Sequence, residues 1–263
     1  MKILVTGANQ GIGFYFVRQL LEDGHQVAVF DKRIDKISEL KMNFYQDLIV
    51  CQVDVRNDGA LQKAVEVVYQ LFGEIDVAVH NACCCLFQSA NEMTMNNYRT
   101  VFDVNYYGAL HLLNCVLPSM IKQKQGKIIF TCSGVGVTGF PGLSAYASSK
   151  AALETLAKCL NLEYASAGVS FHLMHPPLTR TASSKALPVP SEMMASPKMV
   201  GRGLAKKIDS KRFIICHNVG QWLQMALCYH LPCQMGRLMA MMTRRAAKNK
   251  ATSADDSVWR PCI

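Results

Sequence analysis

Tyr146 and Lys150, in "SAYASSKAAL", stand four residues apart and so one turn apart on the same face of a predicted helix. A nearby ammonium stabilises a phenolate, so a lysine placed this way draws a tyrosine from its ordinary pKa of about 10 toward a range useful for proton transfer. Such pairs are common on helix faces, and this one gains meaning only from its surroundings. Near the N-terminus Thr6-Gly7-Ala8-Asn9-Gln10-Gly11-Ile12-Gly13 follows a strand-type run and opens a helix. Glycines at that turn let backbone N–H groups approach a pyrophosphate at the helix N-terminus, where the dipole favours negative charge. The spacing differs from G-x-G-x-x-G, and a tight turn with no ligand also needs glycine. Eighteen residues after Gly13 a second strand-type run ends in Asp31. A carboxylate there accepts hydrogen bonds from the adenosine ribose hydroxyls and repels a 2′-phosphate. NAD is therefore expected over NADP, although Lys32 and Arg33 follow at once with charge to offer that phosphate.

The elements that must position these groups are legible as short apolar runs between longer helical patterns: "KILVT", "QVAVF", "LIVCQV", "IDVAVH", "KIIFTC", "VSFHLM" and "RFIIC". Seven strands alternating with helices predict an α/β, Rossmann-like doubly wound fold, a parallel sheet with helices on both faces. Residues 1–217 are expected to form the dinucleotide-binding and catalytic domain, with a Pro- and Ser-rich lid over 176–199. A helix opens at Ser196-Pro197. A helical C-terminal extension is expected over 218–250, its second half an amphipathic helix on Met235, Leu238, Met239 and Met242, and a flexible tail over 251–263.

The chain of 263 residues has room for one sizeable core. It contains no uninterrupted apolar stretch of the ~18–20 residues that crosses a bilayer. Met1 runs directly into the first strand, leaving no space for a secretion signal, and a cytoplasmic location is expected. Eleven scattered cysteines then read as reduced thiols, most of them small core hydrophobes. Cys83-Cys84-Cys85 has neither the four spaced ligands of a structural metal site nor a Cys-x-x-Cys redox pattern, and no metal is expected. The net charge of +9 is concentrated in residues 196–250, where eleven Lys or Arg face only Asp209, against 17 and 18 elsewhere. That tract lacks any nucleic-acid reading motif, and no nucleic acid is expected as a partner.

Five motifs in order make the sequence resemble the short-chain dehydrogenase/reductase family in its form of about 250 residues. They are "TGANQGIG" at 6–13, Asp54-Val55 after the third strand, "HNAC" at 80–83, Asn105 in the following helix, and Ser133 with Tyr146 and Lys150. The resemblance runs from Lys2 to about Cys216. It implies that Tyr146 is the general acid/base, that Ser133 hydrogen-bonds the reacting oxygen, and that Lys150 lowers the tyrosine pKa and holds the nicotinamide ribose. It further implies that Asn105 anchors a water linking Lys150 to solvent, that Asp54 and Val55 contact adenine, and that Asn81 lies beneath the cofactor. After the sixth strand the family usually has Pro-Gly and then a threonine. This chain has Pro176-Pro177-Leu178-Thr179-Arg180-Thr181, and Pro176, Thr179 and Thr181 are expected to face the cofactor, while Pro177 fixes φ where the family has glycine. Cys83 likewise replaces a family glycine.

On this resemblance the expected activity is an NAD-linked hydride transfer on a secondary alcohol or its ketone. Leu178, Leu187, Val189, Met193 and Met194 in the lid suggest a small apolar substrate of the hydroxysteroid or bile-acid kind. An NADPH-dependent ketone or 3-oxoacyl reductase is the alternative if Lys32 and Arg33 hold a 2′-phosphate. A cofactor-binding scaffold without catalysis is a third reading, opposed by the intact set Asn105, Ser133, Tyr146 and Lys150. A homodimer or homotetramer is expected by likeness to the family, and weak membrane-surface association through 222–250 is compatible with each reading.

Overall fold

Alternate residues along the central strands are apolar on both sides, which is what a sheet covered on both faces requires. In a computed structural model, which describes residues 1–251, these runs form β1 (Lys2–Thr6), β2 (Gln26–Asp31), β3 (Leu48–Gln52), β4 (Val77–His80), β5 (Gly126–Thr131), β6 (Val169–Met174) and β7 (Ile214–Ile215). All pair in parallel in the order β3-β2-β1-β4-β5-β6-β7. The expected doubly wound sheet is present, with the last strand shortened to two residues.

The helices are α1 (Gly11–Glu22), α2 (Asp35–Ser38), α3 (Asp58–Phe72), α4 (Met95–Phe102), α5 (Gly108–Gln123), α6 (Gly134–Thr138), α7 (Ser144–Glu163), α8 (Pro197–Ala205), α9 (Val219–His230) and α10 (Pro232–Ala251). Leu4, Ala28, Phe30, Ala78, Ile128 and Phe130 point to the face covered by α3, α5 and α7. Ile3, Val5, Val27, Val29, Val79 and Ile129 point to the other, covered by α1 and α8. The tail expected over 251–263 lies, beyond Ala251, outside the described residues.

Three local features set the site. The order of strands reverses between β1 and β4, opening a crevice at their carboxyl ends, the place where such sheets bind ligands. A π-turn over Asp103–Tyr107 joins α4 to α5, and such turns recur at functional sites because they re-aim one residue of an otherwise regular helix. Here that residue is Asn105. The segment 176–199, expected as a lid, holds short 3-10 turns at Ala182–Ser184 and Ser191–Met193 ahead of α8. It is closed on itself by a bridge between Thr179 and Ala195. Pairing of Arg180 N–H with Ala195 C=O (3.0 Å) and of Ala195 N–H with Leu178 C=O (2.8 Å) satisfies backbone groups of the segment without any neighbouring strand.

Candidate active site

A cleft of about 340 Å³ lies over the crevice between β1 and β4, within the size range of small-molecule sites. Its floor is the glycine turn. Gly7 has φ +70° and Gly11 φ +63°, both in the left-handed region. A Cβ on Gly7 would lie 2.4 Å from Ala82 Cα, and one on Gly13 would lie 2.4 Å from the Gly7 carbonyl oxygen. Only glycine lets the turn approach β4 this closely. No side chain caps α1 at Gln10, so the first-turn N–H groups of Gly11, Ile12 and Gly13 remain available to the cleft that these residues line. This cradle fits a dinucleotide pyrophosphate.

Asn9 is nearly fully buried and does not line the cleft. Its side chain donates to Asp35 Oδ1 (2.7 Å) and accepts from the N–H groups of Lys36 and Ile37 (2.9 and 3.0 Å), so it ties the turn to the start of α2. Its backbone N–H donates to Asp31 Oδ2 (2.9 Å), and the other Asp31 oxygen accepts from Arg33 N–H (3.1 Å). Both carboxylate oxygens of Asp31 are thus engaged by the backbone. The lining of the same cleft carries Lys32, Arg33 and Arg56. Arg56 forks onto Asp54, its closest approach 2.6 Å, and that hydrogen-bonded guanidinium holds the Asp54 carboxyl below its ordinary range.

At the other end of the cleft stand Tyr146 and Lys150. Lys150 is fully buried and donates from Nζ to the Thr131 carbonyl (2.7 Å), which fixes its ammonium 5.7 Å from the centroid of the Tyr146 ring. Burial pushes the Tyr146 phenol well above its ordinary value, the Cys83 and Cys85 thiols beside it add to this, and a hydrogen bond with Ser133 opposes it. The spacing alone suggested a tyrosine lowered by its lysine, whereas burial of the ring acts in the opposite direction.

Asn81 lines the cleft and stitches three strand ends together. Its Nδ2 donates to the Gly7 carbonyl (2.6 Å), its Oδ1 accepts from Thr131 Oγ1 (3.3 Å), and its N–H donates to Thr6 Oγ1 (3.1 Å). Beneath it His80, fully buried, faces the Val104 carbonyl through Nε2 (3.2 Å) and Thr6 Oγ1 through Nδ1 (3.2 Å). A carbonyl only accepts, so Nε2 carries the proton and Nδ1 accepts from the threonine. Asn105 does not reach the cleft. Its Oδ1 accepts from Cys84 N–H (2.7 Å) and its Nδ2 donates to Cys84 C=O and Ser149 Oγ (both 2.9 Å).

The cleft therefore gathers Gly7, Gln10, Gly11, Ile12, Gly13, Asp31, Asp54, Val55, Asn81, Tyr146, Lys150, Pro176 and Thr181 from the sequence-derived set. Asn9, Asn105 and Thr179 support it from outside, with Thr179 Oγ1 turned onto the Pro177 carbonyl (2.7 Å), while Ser133 stands within hydrogen-bond reach of the Tyr146 phenol. Sequence reasoning missed Arg56, two residues after Asp54, and the Thr131 carbonyl that seats Lys150. Cys83 and Cys84 both line the cleft. Among the described residues no group of His, Cys, Asp or Glu is arranged to hold a metal ion.

The sequence pattern of the short chain dehydrogenase family matches residues 1–190. Oxidoreductase UcpA of Salmonella typhimurium is 31% identical over 221 residues, 83% of this chain and 84% of that protein. NADP-dependent 3-hydroxy acid dehydrogenase YdfG of Salmonella typhi is 31% identical over 152 residues, 57% of this chain and 61% of that protein. The crystal structure of a gluconate 5-dehydrogenase from Burkholderia cenocepacia in complex with NADP and tartrate has the same fold, with a TM-score of 0.71 at 23% identity over 79% of this chain and 87% of its own. These findings overturn the expected preference for NAD: one relative is named for NADP and the structural neighbour holds it, which puts NADP at least level with NAD. The physical reason lies at Asp31, both of whose carboxylate oxygens are engaged by backbone N–H groups, with Lys32, Arg33 and Arg56 on the lining of the same cleft. With the family's sequence pattern, its fold and its Tyr-x-x-x-Lys pair on one cleft, the chain belongs to the short-chain dehydrogenase/reductase family of NAD(P)-dependent oxidoreductases.

Proposed function

We propose that this oxidoreductase uses NADP(H) to interconvert a ketone and a secondary alcohol, with a 3-oxo or 3-hydroxy acid or acyl group as substrate. The observation that carries the reading is a single cleft with an uncapped glycine turn and three cations at one end and Tyr146 with Lys150 at the other. Gly7, Gln10, Gly11, Ile12 and Gly13 would hold the pyrophosphate, Asp54 and Val55 the adenine, and Lys32, Arg33 and Arg56 the 2′-phosphate. Asn81, Pro176, Thr181 and Lys150 would hold the nicotinamide half.

When bound, the dinucleotide supplies or accepts the hydride. Tyr146, kept protonated by burial, gives its Oη proton to the substrate oxygen as reduction proceeds, and Ser133 donates a hydrogen bond to the same oxygen. Lys150, seated on the Thr131 carbonyl, stabilises the phenolate left behind. YdfG, named for 3-hydroxy acids, supports the substrate class. Assembly as a dimer or tetramer belongs to the same reading.

A second reading, a lipophilic alcohol of the hydroxysteroid kind, is favoured by the exposed Leu178 and Met193 on the segment over the cleft. Initial rates with NADPH and NADH against 3-oxo acids, 3-oxoacyl thioesters and ketosteroids separate the two. NADPH with a 3-oxo acid or thioester should be fastest. Turnover of ketosteroids alone would replace the first reading with the second, and NADH preferred with every substrate would remove the cofactor assignment.

A further inference from the structure

We infer that the outer face of α9, continued onto α10, docks the protein on an anionic phospholipid surface. The twelve residues of α9 include no Asp, Glu, Lys or Arg. Its inner face buries Gln221, Met225 and Cys228, and its outer face presents Val219 (71% exposed), Trp222 (40%), Leu223 (54%) and Leu227 (50%). Gln224 and His230 are the exposed polar side chains beside them; a helix face made mostly of large apolar groups with no Lys, Arg, Asp or Glu is one that is covered in use. On α10, Leu238, Met241 and Met242 extend the exposed apolar surface.

Charge selects what covers it. From Ser210 to Ala251 the sequence has seven Lys or Arg and neither Asp nor Glu. The Arg212 guanidinium lies 5.5 Å over the Trp222 ring, so cation and indole share one patch. That pairing suits the bilayer boundary, where the indole sits among headgroups and the guanidinium meets phosphate. A second copy of this chain would set the same basic flank against itself, which repulsion opposes, while an anionic lipid surface complements it. No helix among the described residues is long and apolar enough to cross a membrane, so the contact is with the surface. The two helices pack on α6, the turn that follows Ser133; a Cβ on Gly236 would lie 2.6 Å from the Thr138 carbonyl oxygen. Docking would therefore bring the Ser133 end of the molecule toward lipid.

The test is co-sedimentation of the full chain with phosphatidylcholine vesicles, with and without phosphatidylserine. The chain should pellet with the phosphatidylserine vesicles, less so as salt is raised. The double variant Leu223→Glu/Leu227→Glu, altered only at exposed positions, should lose about tenfold or more in partition, and Trp222→Ala should move the same way. An unchanged circular dichroism spectrum and Tm show that either variant is folded. Failure of the unmodified chain to pellet with anionic vesicles, or equal pelleting of both folded variants, overturns the inference. So does a double variant that lowers the oligomeric state in velocity sedimentation without vesicles, since the face is then an interface between copies.

Discussion

Asn105 and Cys84 are joined by a reciprocal pair of hydrogen bonds, Cys84 N–H to Asn105 Oδ1 at 2.7 Å and Asn105 Nδ2 to Cys84 C=O at 2.9 Å. The π-turn aims the asparagine at the exit of β4, and the pair acts as one rung of a sheet where no strand continues. It holds the three cysteines in place, two of them on the wall of the cleft. The third bond, to Ser149 Oγ, ties the same asparagine to the helix that carries Tyr146 and Lys150.

Asn105→Ala should therefore act first on stability. It leaves the half-buried N–H and C=O of Cys84 without partners, and each such loss is worth up to about 1–3 kcal/mol when water is excluded; with the cleft beside them, urea unfolding should show a fall toward the low end of their sum, about 2–4 kcal/mol. A loss of activity with an unchanged unfolding midpoint would instead give Asn105 a direct part in proton transfer.

Tyr146→Phe should lower kcat by about 10²–10⁴-fold, the usual contribution of a positioned acid or base. NADPH binding, followed by its fluorescence, should be nearly unchanged because the ring and its contact with Lys150 persist. Turnover within tenfold of the unmodified enzyme would rule out this tyrosine as the proton donor.

Arg33→Ala should raise the KM for NADP by about 10–100-fold, the range of one lost charge-assisted hydrogen bond, and leave the KM for NAD nearly the same. Arg56→Ala should weaken NADP and also release Asp54, whose carboxyl then returns toward its ordinary range. Equal effects of Arg33→Ala on the two cofactors would place the 2′-phosphate elsewhere.

The parts of this molecule legible in the sequence are those with a short physical rule. Strand runs such as "KILVT" and "KIIFTC" must be apolar on both faces, and Gly7 and Gly13 must lack a Cβ for the turn to meet β4. Neither rule depends on distant residues. Cofactor choice is not legible in the same way, because the Asp31 carboxylate is an engaged acceptor and not a free one. Its engagement by Asn9 and Arg33 N–H is backbone geometry, and Arg56 enters from β3's exit loop, far from it in the chain. The Tyr146 environment is illegible for a related reason. A spacing of four shows the lysine, but not the burial or the Cys83 and Cys85 thiols that surround the phenol.

Acid should destabilise the protein through two buried histidines. Burial lowers the pKa of both His80 and His175 from 6.5 to about 3, with the Lys150 ammonium adding to the effect in each case. Both are neutral in the folded protein across the whole interval in which the unfolded chain takes up their protons. The unfolded state then binds more protons than the folded one, so stability is full above about pH 6.5 and declines as pH falls toward about 3. Each histidine contributes a slope of about 1.4 kcal/mol per pH unit through most of that window. Urea unfolding at a series of pH values should show the decline, and His80→Gln, if folded, should make it shallower. His175 bonds Tyr229 of α9 through Nε2 (3.3 Å), so hydrogen exchange should show α9 loosening early as acid is added. A flat dependence between pH 6 and 4, roughly the centre of this window, would mean that these imidazoles are not sealed from water.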